Sequence, residues 1–339
     1  MINGGIINKR IKKNTLKIKA INNSFKKLIN TKIIIKKQNR LFFLLLNLFV
    51  IINLFFIIKS KTNKNYKKIK LYSLNEIKIK IFGDGEQNIL DSDYQYPPNE
   101  VLVNGEISSI GSENIISNLE QGENTIIMKW DDKISDCESM FYSLTNLREV
   151  DLSNFDGREI ISMRYMFYRC SELTSVNLNN LYTPNLNDME GLFYSYSSLL
   201  YLNLSSFETS SVTNMAIIFY ECTSLKSIIF GNLKTNKVEK FAQLFYSCTS
   251  LESLDLSNFD TSSVIDMTNM FYKCNSLTSL DLSNFNTNSL SLISGMFFEC
   301  LNLKYLDISN FNTSLIMSIN YFLVNCINLE YIKLNNCIE

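Results

Sequence analysis

The sequence predicts an α/β repeat solenoid of short parallel strands with helical returns, preceded by a transmembrane helix and a small β-rich cap. Three observations lead to it. Eight 26-residue copies, the last one partial, follow one another without insertion from Met140. Each copy contains a short apolar motif typical of a strand, and a charge-free apolar run occupies residues 41–58. A fixed period of this length indicates stacked repeats, in which each copy buries its apolar face against its neighbours.

The N-terminal part divides into a basic tail (1–40), an apolar segment (41–58) and a lysine-rich linker (59–70). The apolar segment has 18 residues and two asparagines, which predicts a single-pass membrane anchor. The 20 residues on either side carry six and seven basic residues, so charge does not set the orientation. Signal cleavage after Ser60 is the alternative. The long basic lead and the lack of a small-residue cleavage site favour an uncleaved anchor with a cytoplasmic tail.

Residues 71–136 do not match the repeat and are predicted to form a β-rich N-terminal cap. Apolar and polar residues alternate in IKIKIF (77–82), VLVNGEI (101–107) and TIIMKW (125–130), as expected for half-buried strands. GDGEQN at 83–88 weakly resembles a nucleotide-binding loop. It lacks a third glycine and no helical pattern follows, so a hairpin turn is the favoured interpretation.

Residues 137–339 contain the repeats. The copies begin at Met140, Met166, Leu192, Ile218, Leu244, Met270, Met296 and Phe322. Position 8 is leucine in every copy, and positions 11 and 13 alternate with polar residues as a strand requires. Positions 21 and 24 and the next copy's positions 1 and 2 have the spacing of one helix face, and the threonine at position 18 is a suitable N-cap. Each copy is therefore predicted to be a strand, a turn and a helical return.

Two further columns are predicted to fill the interior. Phenylalanine at position 2 should form a stacked aromatic spine. Six copies have cysteine at position 5: Cys170, Cys222, Cys248, Cys274, Cys300 and Cys326. Disulfides are an alternative, but side chains of one column point the same way, which is poor bridging geometry. With no CxxC motif and no histidine, zinc is also disfavoured, and we expect a ladder of buried thiols.

Composition excludes several function classes. The chain has no histidine, which removes Ser-His-Asp and Cys-His catalysis and histidine metal sites. Its formal net charge of zero hides a segregation of charge. Residues 1–80 carry 20 basic residues and one acid, whereas residues 81–339 carry 13 basic and 32 acidic residues. An acidic body argues against nucleic acid as a partner, and the absence of a nucleophile–base pair argues against an enzyme.

The sequence of the 26-residue repeat unit resembles that of a known family. LxxLxLxxF at a 26-residue period, with SNFDTSSV, DMTNMFYKC and LTSLDLSNF, resembles the bacterial surface protein 26-residue repeats, the BspA-like leucine-rich-repeat class. The resemblance covers residues 140–339. It implies a curved leucine-rich-repeat solenoid on a cell surface with a role in adhesion or recognition, and it brings no catalytic residues.

A binding face is predicted on the concave side, where strand positions 10 and 12 face outward. Tyrosine, serine and carboxylates there make a plausible recognition surface. The candidate residues are Asp151, Asn177, Tyr201, Asn203, Asp255, Asp281, Tyr305, Asp307 and Tyr331. Calcium could relieve repulsion between stacked aspartates, but no known calcium-repeat spacing is present, so a solvated polar face is favoured and no metal or cofactor is expected.

These observations predict a membrane-anchored cell-surface protein that binds a protein or a glycan on another cell or matrix. Two glycosylation sequons within the repeats, at Asn203 and Asn312, are weak support for secretion. A membrane-tethered intracellular scaffold is the alternative. The ligand and the oligomeric state stay open.

Overall fold

The computed structural model describes residues 75–334 of the chain. The predicted basic tail, the apolar segment 41–58 and the linker lie outside the described residues. Within residues 75–334 there is no helix with the length and apolarity that crossing a bilayer requires. The described chain is a β-solenoid that begins with an antiparallel sheet.

The first four strands form this antiparallel sheet. They are β1 (Glu76–Asn88), β2 (Glu100–Val103), β3 (Glu106–Ser108) and β4 (Ile115–Lys129). The strands of the coils follow as β5 (Leu147–Asn154), β6 (Ser175–Asn177), β7 (Tyr201–Asn203), β8 (Ser227–Ile229), β9 (Ser279–Asp281), β10 (Tyr305–Asp307) and β11 (Tyr331–Lys333). Two single 3-10 turns, Ser112–Asn114 and Gly157–Glu159, are the helical elements within residues 75–334.

The antiparallel sheet continues directly into the first coil. Its order is β3-β2-β4-β1-β5-β6, with β1 antiparallel to both β4 and β5. The alternating pattern of β1 buries Ile77, Ile79 and Ile81 completely. Pairing with β1 occupies the edge of β5 that would otherwise be open, so the solenoid does not begin with a free strand edge.

The segment GDGEQN is not a hairpin turn, and that prediction was wrong. It lies within β1, where the pairing with β4 shifts register between Gly83 and Gly85 and again between Gly85 and Gln87. β-Bulges of this kind absorb extra residues without ending a strand, and Gly85 supplies the positive φ of 62°. The tight hairpin is instead at Asn104-Gly105, between β2 and β3, where both residues have positive φ.

The coils stack through parallel pairing at an offset of one repeat. Strand positions 10–12 form the ladders β5–β6, β7–β8 and β9–β10–β11, for example Leu306 opposite Ile332. A second ladder of single bridges runs along position 23, from Asp136 opposite Ser162 to Leu292 opposite Ser318. The predicted in-register parallel strands are therefore present.

The predicted helical returns are wrong, and with them the α/β class. Positions 21, 24, 1 and 2 are buried as expected, but the amides at positions 24 and 2 donate to the next coil along the solenoid axis. The amide of Met267 donates to Leu292 O at 2.8 Å in the next coil, and that of Phe271 donates to Met296 O at 2.9 Å. Met270 N, in contrast, closes a tight turn onto Met267 O at 3.1 Å. An α-helix would use these amides internally, whereas here every second amide joins two coils.

Each return bends at two positions with left-handed backbone. These positions, 26 and 4, have positive φ in the repeats, as at Asn269 (54°) and Lys273 (57°). Consecutive i→i+3 turns put residues three apart on one side, which reproduces the spacing that suggested a helix. Ile217 shares this conformation at φ 51°, which is unusual for a β-branched residue.

The interior columns follow the prediction more closely. The phenylalanine spine is confirmed: neighbouring rings from Phe141 to Phe297 stack with centroids 5.5–6.0 Å apart. The thiol ladder is also confirmed for the described cysteines, which are free and buried except for the half-buried Cys326. Each thiol of the ladder donates to the position-2 carbonyl of the preceding coil, as Cys248 Sγ does to Phe219 O at 3.0 Å.

The position-18 threonines do not cap helices. They are buried, and their hydroxyls bond to the next coil: Thr235 Oγ1 donates to Asp260 O at 2.9 Å and accepts from Asp260 N at 2.8 Å. The same exchange joins Thr209 to Lys234. Threonine is therefore an inter-coil connector, in which one hydroxyl satisfies two backbone groups inside the protein.

Candidate functional site

The outward residues at positions 10 and 12 of the coils, here called the strand face, include all nine predicted site residues. Eight are exposed or half-buried, with Tyr201 at 64% and Tyr331 at 54% exposure. Asp307 is the exception and is buried. The structure does not join the nine residues into one sheet, because the ladders β5–β6, β7–β8 and β9–β11 are separate.

The acidic and amide side chains of the strand face stabilise the turns that follow the strands. At position 12, Asp255 Oδ1 accepts from the amide of Ser257 at 3.0 Å and from its hydroxyl at 2.6 Å. Asn203 and Asp281 make the corresponding bond to the amide two residues on. Such Asx turns close the corner after each strand. The hydroxyl and amide of Ser257 also lower the pKa of Asp255.

Among the aspartates of the strand face, Asp307 forms an ion pair as well as a turn-closing hydrogen bond. Its Oδ2 lies 2.9 Å from Lys333 Nζ, and its Oδ1 accepts from the amide of Ser309 at 3.0 Å. Burial raises the pKa of this carboxyl, but the bonds from Ser309 and Lys333 outweigh that effect and lower the pKa to about 2. Asp307 is therefore a satisfied structural ion rather than a free ligand group.

Tyr201 and Tyr331 of the strand face offer exposed rings for contact, whereas the hydroxyl of the half-buried Tyr305 donates to Asp307 Oδ2 at 3.3 Å. Tyr305 and Tyr331 stack with ring centroids 5.4 Å apart on neighbouring strands. Ile229, which replaces the usual polar residue of the fourth copy, is 58% exposed beside a pocket of about 330 Å³ lined by Phe230, Leu233 and other residues. The strand face thus carries isolated aromatic and aliphatic contact points between capped corners.

A second aromatic column was missed by the sequence analysis. Position 3 places half-buried rings on the surface directly beside the phenylalanine spine, and we call this column the tyrosine ladder. Its members are Tyr142, Tyr168, Tyr194, Tyr220, Tyr246, Tyr272 and Phe298. Neighbouring centroids are 4.4–4.6 Å apart and all six pairs are stacked. The FY pair recurring at positions 2 and 3 was the signal that could have revealed it.

Cations flank the ladder at position 4. The guanidinium of Arg169 lies 5.2 Å from the ring centroid of Tyr168, and the ammonium of Lys273 lies 5.5 Å from that of Tyr272. Burial and the neighbouring phenols raise the pKa of Tyr220, so its phenol stays neutral at physiological pH. The ladder presents ring edges and hydroxyls to solvent, since the ring faces are covered by their neighbours.

Among residues 75–334, no group of three or more Cys, Asp or Glu side chains is placed to hold a metal ion. The aspartates considered for calcium at position 12 are engaged in turn capping, as described above. Burial raises the pKa of the cysteines in the thiol ladder, to about 12 for Cys222. These thiols are therefore protonated and poorly nucleophilic.

Comparison with known proteins identifies the family. The family described as Mycoplasma protein of unknown function, DUF285, matches residues 112–232 and 218–335. No curated protein and no solved structure shows a significant match. The two matched stretches overlap and together cover about two thirds of the sequence, including the solenoid coils described above. The chain therefore belongs to the DUF285 repeat family.

Proposed function

We propose that this chain is a non-enzymatic surface protein for adhesion or recognition, which binds a protein or a glycan with its strand face. The observation that carries the proposal is the exposure of tyrosine on a rigid, hydrogen-bonded backbone. Tyr201 and Tyr331 are more than half exposed while the strands that carry them are fixed by parallel pairing. Tyrosine offers a large contact area with little loss of side-chain freedom on binding.

Several finer points remain part of this proposal. Attachment to a membrane through residues 41–58 and display of the coils outside the cell rest on the sequence alone. So does the narrower assignment to the BspA-like class. An intracellular scaffold attached to a membrane is the alternative, and protease added to intact cells separates the two. Digestion of the coils before the membrane is opened supports surface display, and resistance supports the scaffold.

The binding face is tested with the full chain displayed on cells. The double variant Tyr201→Ala/Tyr331→Ala removes the two most exposed rings of the strand face without touching the core. The matched control is Ile161→Ala/Ile265→Ala, which removes two exposed apolar side chains (55% and 42%) at position 22, away from the strands. We expect the tyrosine variant to lose most adhesion to cognate cells or matrix, with a melting temperature within a few degrees of wild type.

The control variant should adhere like wild type. Equal adhesion of the two variants would contradict a role for the strand face. In that case the tyrosine ladder is the next surface to examine.

A further inference from the structure

A pocket of about 400 Å³ opens where the loop after β1 meets the first coil. The loop is anchored by backbone bonds, with Asp91 N donating to Met140 O at 2.9 Å. The Tyr94 hydroxyl donates to Asp136 O at 3.0 Å, and the Asn114 side chain donates to Asp91 O at 2.7 Å. The walls of the pocket are therefore formed before any ligand enters.

Three aromatic rings line this pocket. Tyr94 and Tyr96 meet edge to face with centroids 5.8 Å apart. Tyr142, the first member of the tyrosine ladder, is covered on one face by Tyr168 at 4.6 Å. Among residues 75–334 no ladder ring precedes Tyr142, and its side chain lines the pocket. Exposed tyrosine faces in a cavity attract cations through the ring quadrupole.

The polar lining of the pocket is acidic. Asp91, Asp93 and Asp136 contribute carboxylates, and among residues 75–334 none of the three forms an ion pair. A fourth carboxylate, Glu138, lies 3.8 Å from Arg164, which binds Glu190 more closely at 3.2 Å. Burial and the charge of Asp93 raise the pKa of Asp91 against a backbone bond that lowers it, as expected for a carboxylate without a countercharge.

We propose that this pocket binds an organic cation, an alkylammonium or guanidinium group, either free or at the end of a lysine or arginine side chain. Its size and aromatic walls suit a cation with a carbon framework. A metal ion requires several oxygens converging at 2–2.6 Å, and these carboxylates do not converge in that way. The inference goes beyond the strand face and does not depend on it.

The full chain contains its own reporter for this site. Trp130 is the single tryptophan of the sequence, and its indole Nε1 donates to Tyr96 O at 2.8 Å in the pocket wall. Tryptophan fluorescence can therefore follow titration with two cationic probes. One probe is butylguanidinium, and the other is a peptide with a single lysine flanked by glycines. The same peptide with glutamine in place of lysine is the neutral control. We expect a saturable change with both cationic probes and none with the glutamine peptide. Tighter binding of the peptide would identify a side chain as the source, and tighter binding of the free cation a small molecule.

Variants then test the two recognition elements. Asp91→Asn/Asp136→Asn removes two charges but keeps the Oδ1 atoms that accept from Asp93 N and Glu138 N. This variant should bind at least about 10-fold more weakly. Tyr142→Leu should bind about 3- to 10-fold more weakly, and Tyr142→Phe should restore binding because the ring face remains.

The matched controls are Asp255→Asn/Asp281→Asn, on the strand face, and Tyr246→Leu, within the ladder. Both should bind like wild type. The proposal is overturned if neither probe gives saturable binding to the full chain. It is also overturned if the charge variant binds as tightly as wild type, or if the control variants are weakened equally.

Discussion

The phenylalanine spine and the tyrosine ladder occupy adjacent positions of the same coils and follow the same register, yet they differ in packing. The spine is buried, with centroids 5.5–6.0 Å apart, whereas the ladder is half-buried with centroids 4.4–4.6 Å apart. Spine rings are held by the surrounding core. Ladder rings are half-buried, and each stacks more closely on its neighbours along the axis. Burial should therefore make the largest contribution to the stability of the phenylalanine spine, and ring stacking the largest contribution to that of the tyrosine ladder.

The largest expected effect is at the centre of the spine. Phe245 is fully buried between Phe219 and Phe271. Phe245→Ala should lower the free energy of unfolding by about 3–5 kcal/mol, because a cavity adds to the lost transfer free energy. Urea unfolding measures the change. A loss below about 1 kcal/mol would show that neighbouring coils collapse into the gap.

A smaller effect is expected at the thiol beside the spine. Cys248 is fully buried and donates to Phe219 O. Cys248→Ala should cost about 1–2 kcal/mol by removing one buried atom and its weak bond. Urea unfolding with and without reductant distinguishes this packing loss from the loss of a disulfide. An effect of the substitution seen without reductant and absent with it would contradict the free thiol.

The ladder counterpart is Tyr246, which stacks on Tyr220 at 4.4 Å and on Tyr272 at 4.5 Å. Tyr246→Ala should cost about 1 kcal/mol, since aromatic pairs contribute about 0.5–1.5 kcal/mol beyond burial. The measurement is the same urea titration as for Phe245→Ala. A cost equal to that of Phe245→Ala would show that the two columns do not differ in energetic role.

The smallest expected effect is that of Tyr246→Phe. The ring and both stacking partners remain, and Phe298 already occupies the ladder at its last position. The free energy of unfolding should change by less than about 0.5 kcal/mol, as for most surface substitutions. A larger loss would mean that the hydroxyls of the ladder, rather than its rings, hold the column together.

The repeat, the strand positions and the buried columns could be predicted from the sequence because their residue types recur at a fixed spacing. The left-handed corners could not, since positions 26 and 4 contain unrelated residues such as Ile217, Asn269 and Lys273, all with positive φ. Their conformation is imposed by bonds to the next coil. The spacing of the buried residues is the same for a helix and for successive tight turns, so pattern alone favoured the wrong alternative.

The binding role of the strand-face residues stays a prediction. These residues are exposed or half-buried, except Asp307. The carboxylates of Asp255 and Asp281 at position 12, however, accept hydrogen bonds from the turn that follows the strand. A sequence pattern cannot separate a carboxylate that accepts from its own backbone from one that is free. The organic-cation pocket depends on contacts between the loop at 91–96 and the first coil, and such long-range contacts leave no periodic signal.

The constant offset between coils also constrains how such genes change in length. Each coil exchanges hydrogen bonds with its neighbours one copy away, as Leu306 does in its pairing with Leu280 and Ile332. Recombination between similar copies adds or removes a whole repeat. Each remaining strand then still pairs with a strand one copy away. An insertion of a single codon within a coil would instead turn strand residues from the core to solvent. Length variation within this family should therefore occur in complete repeats.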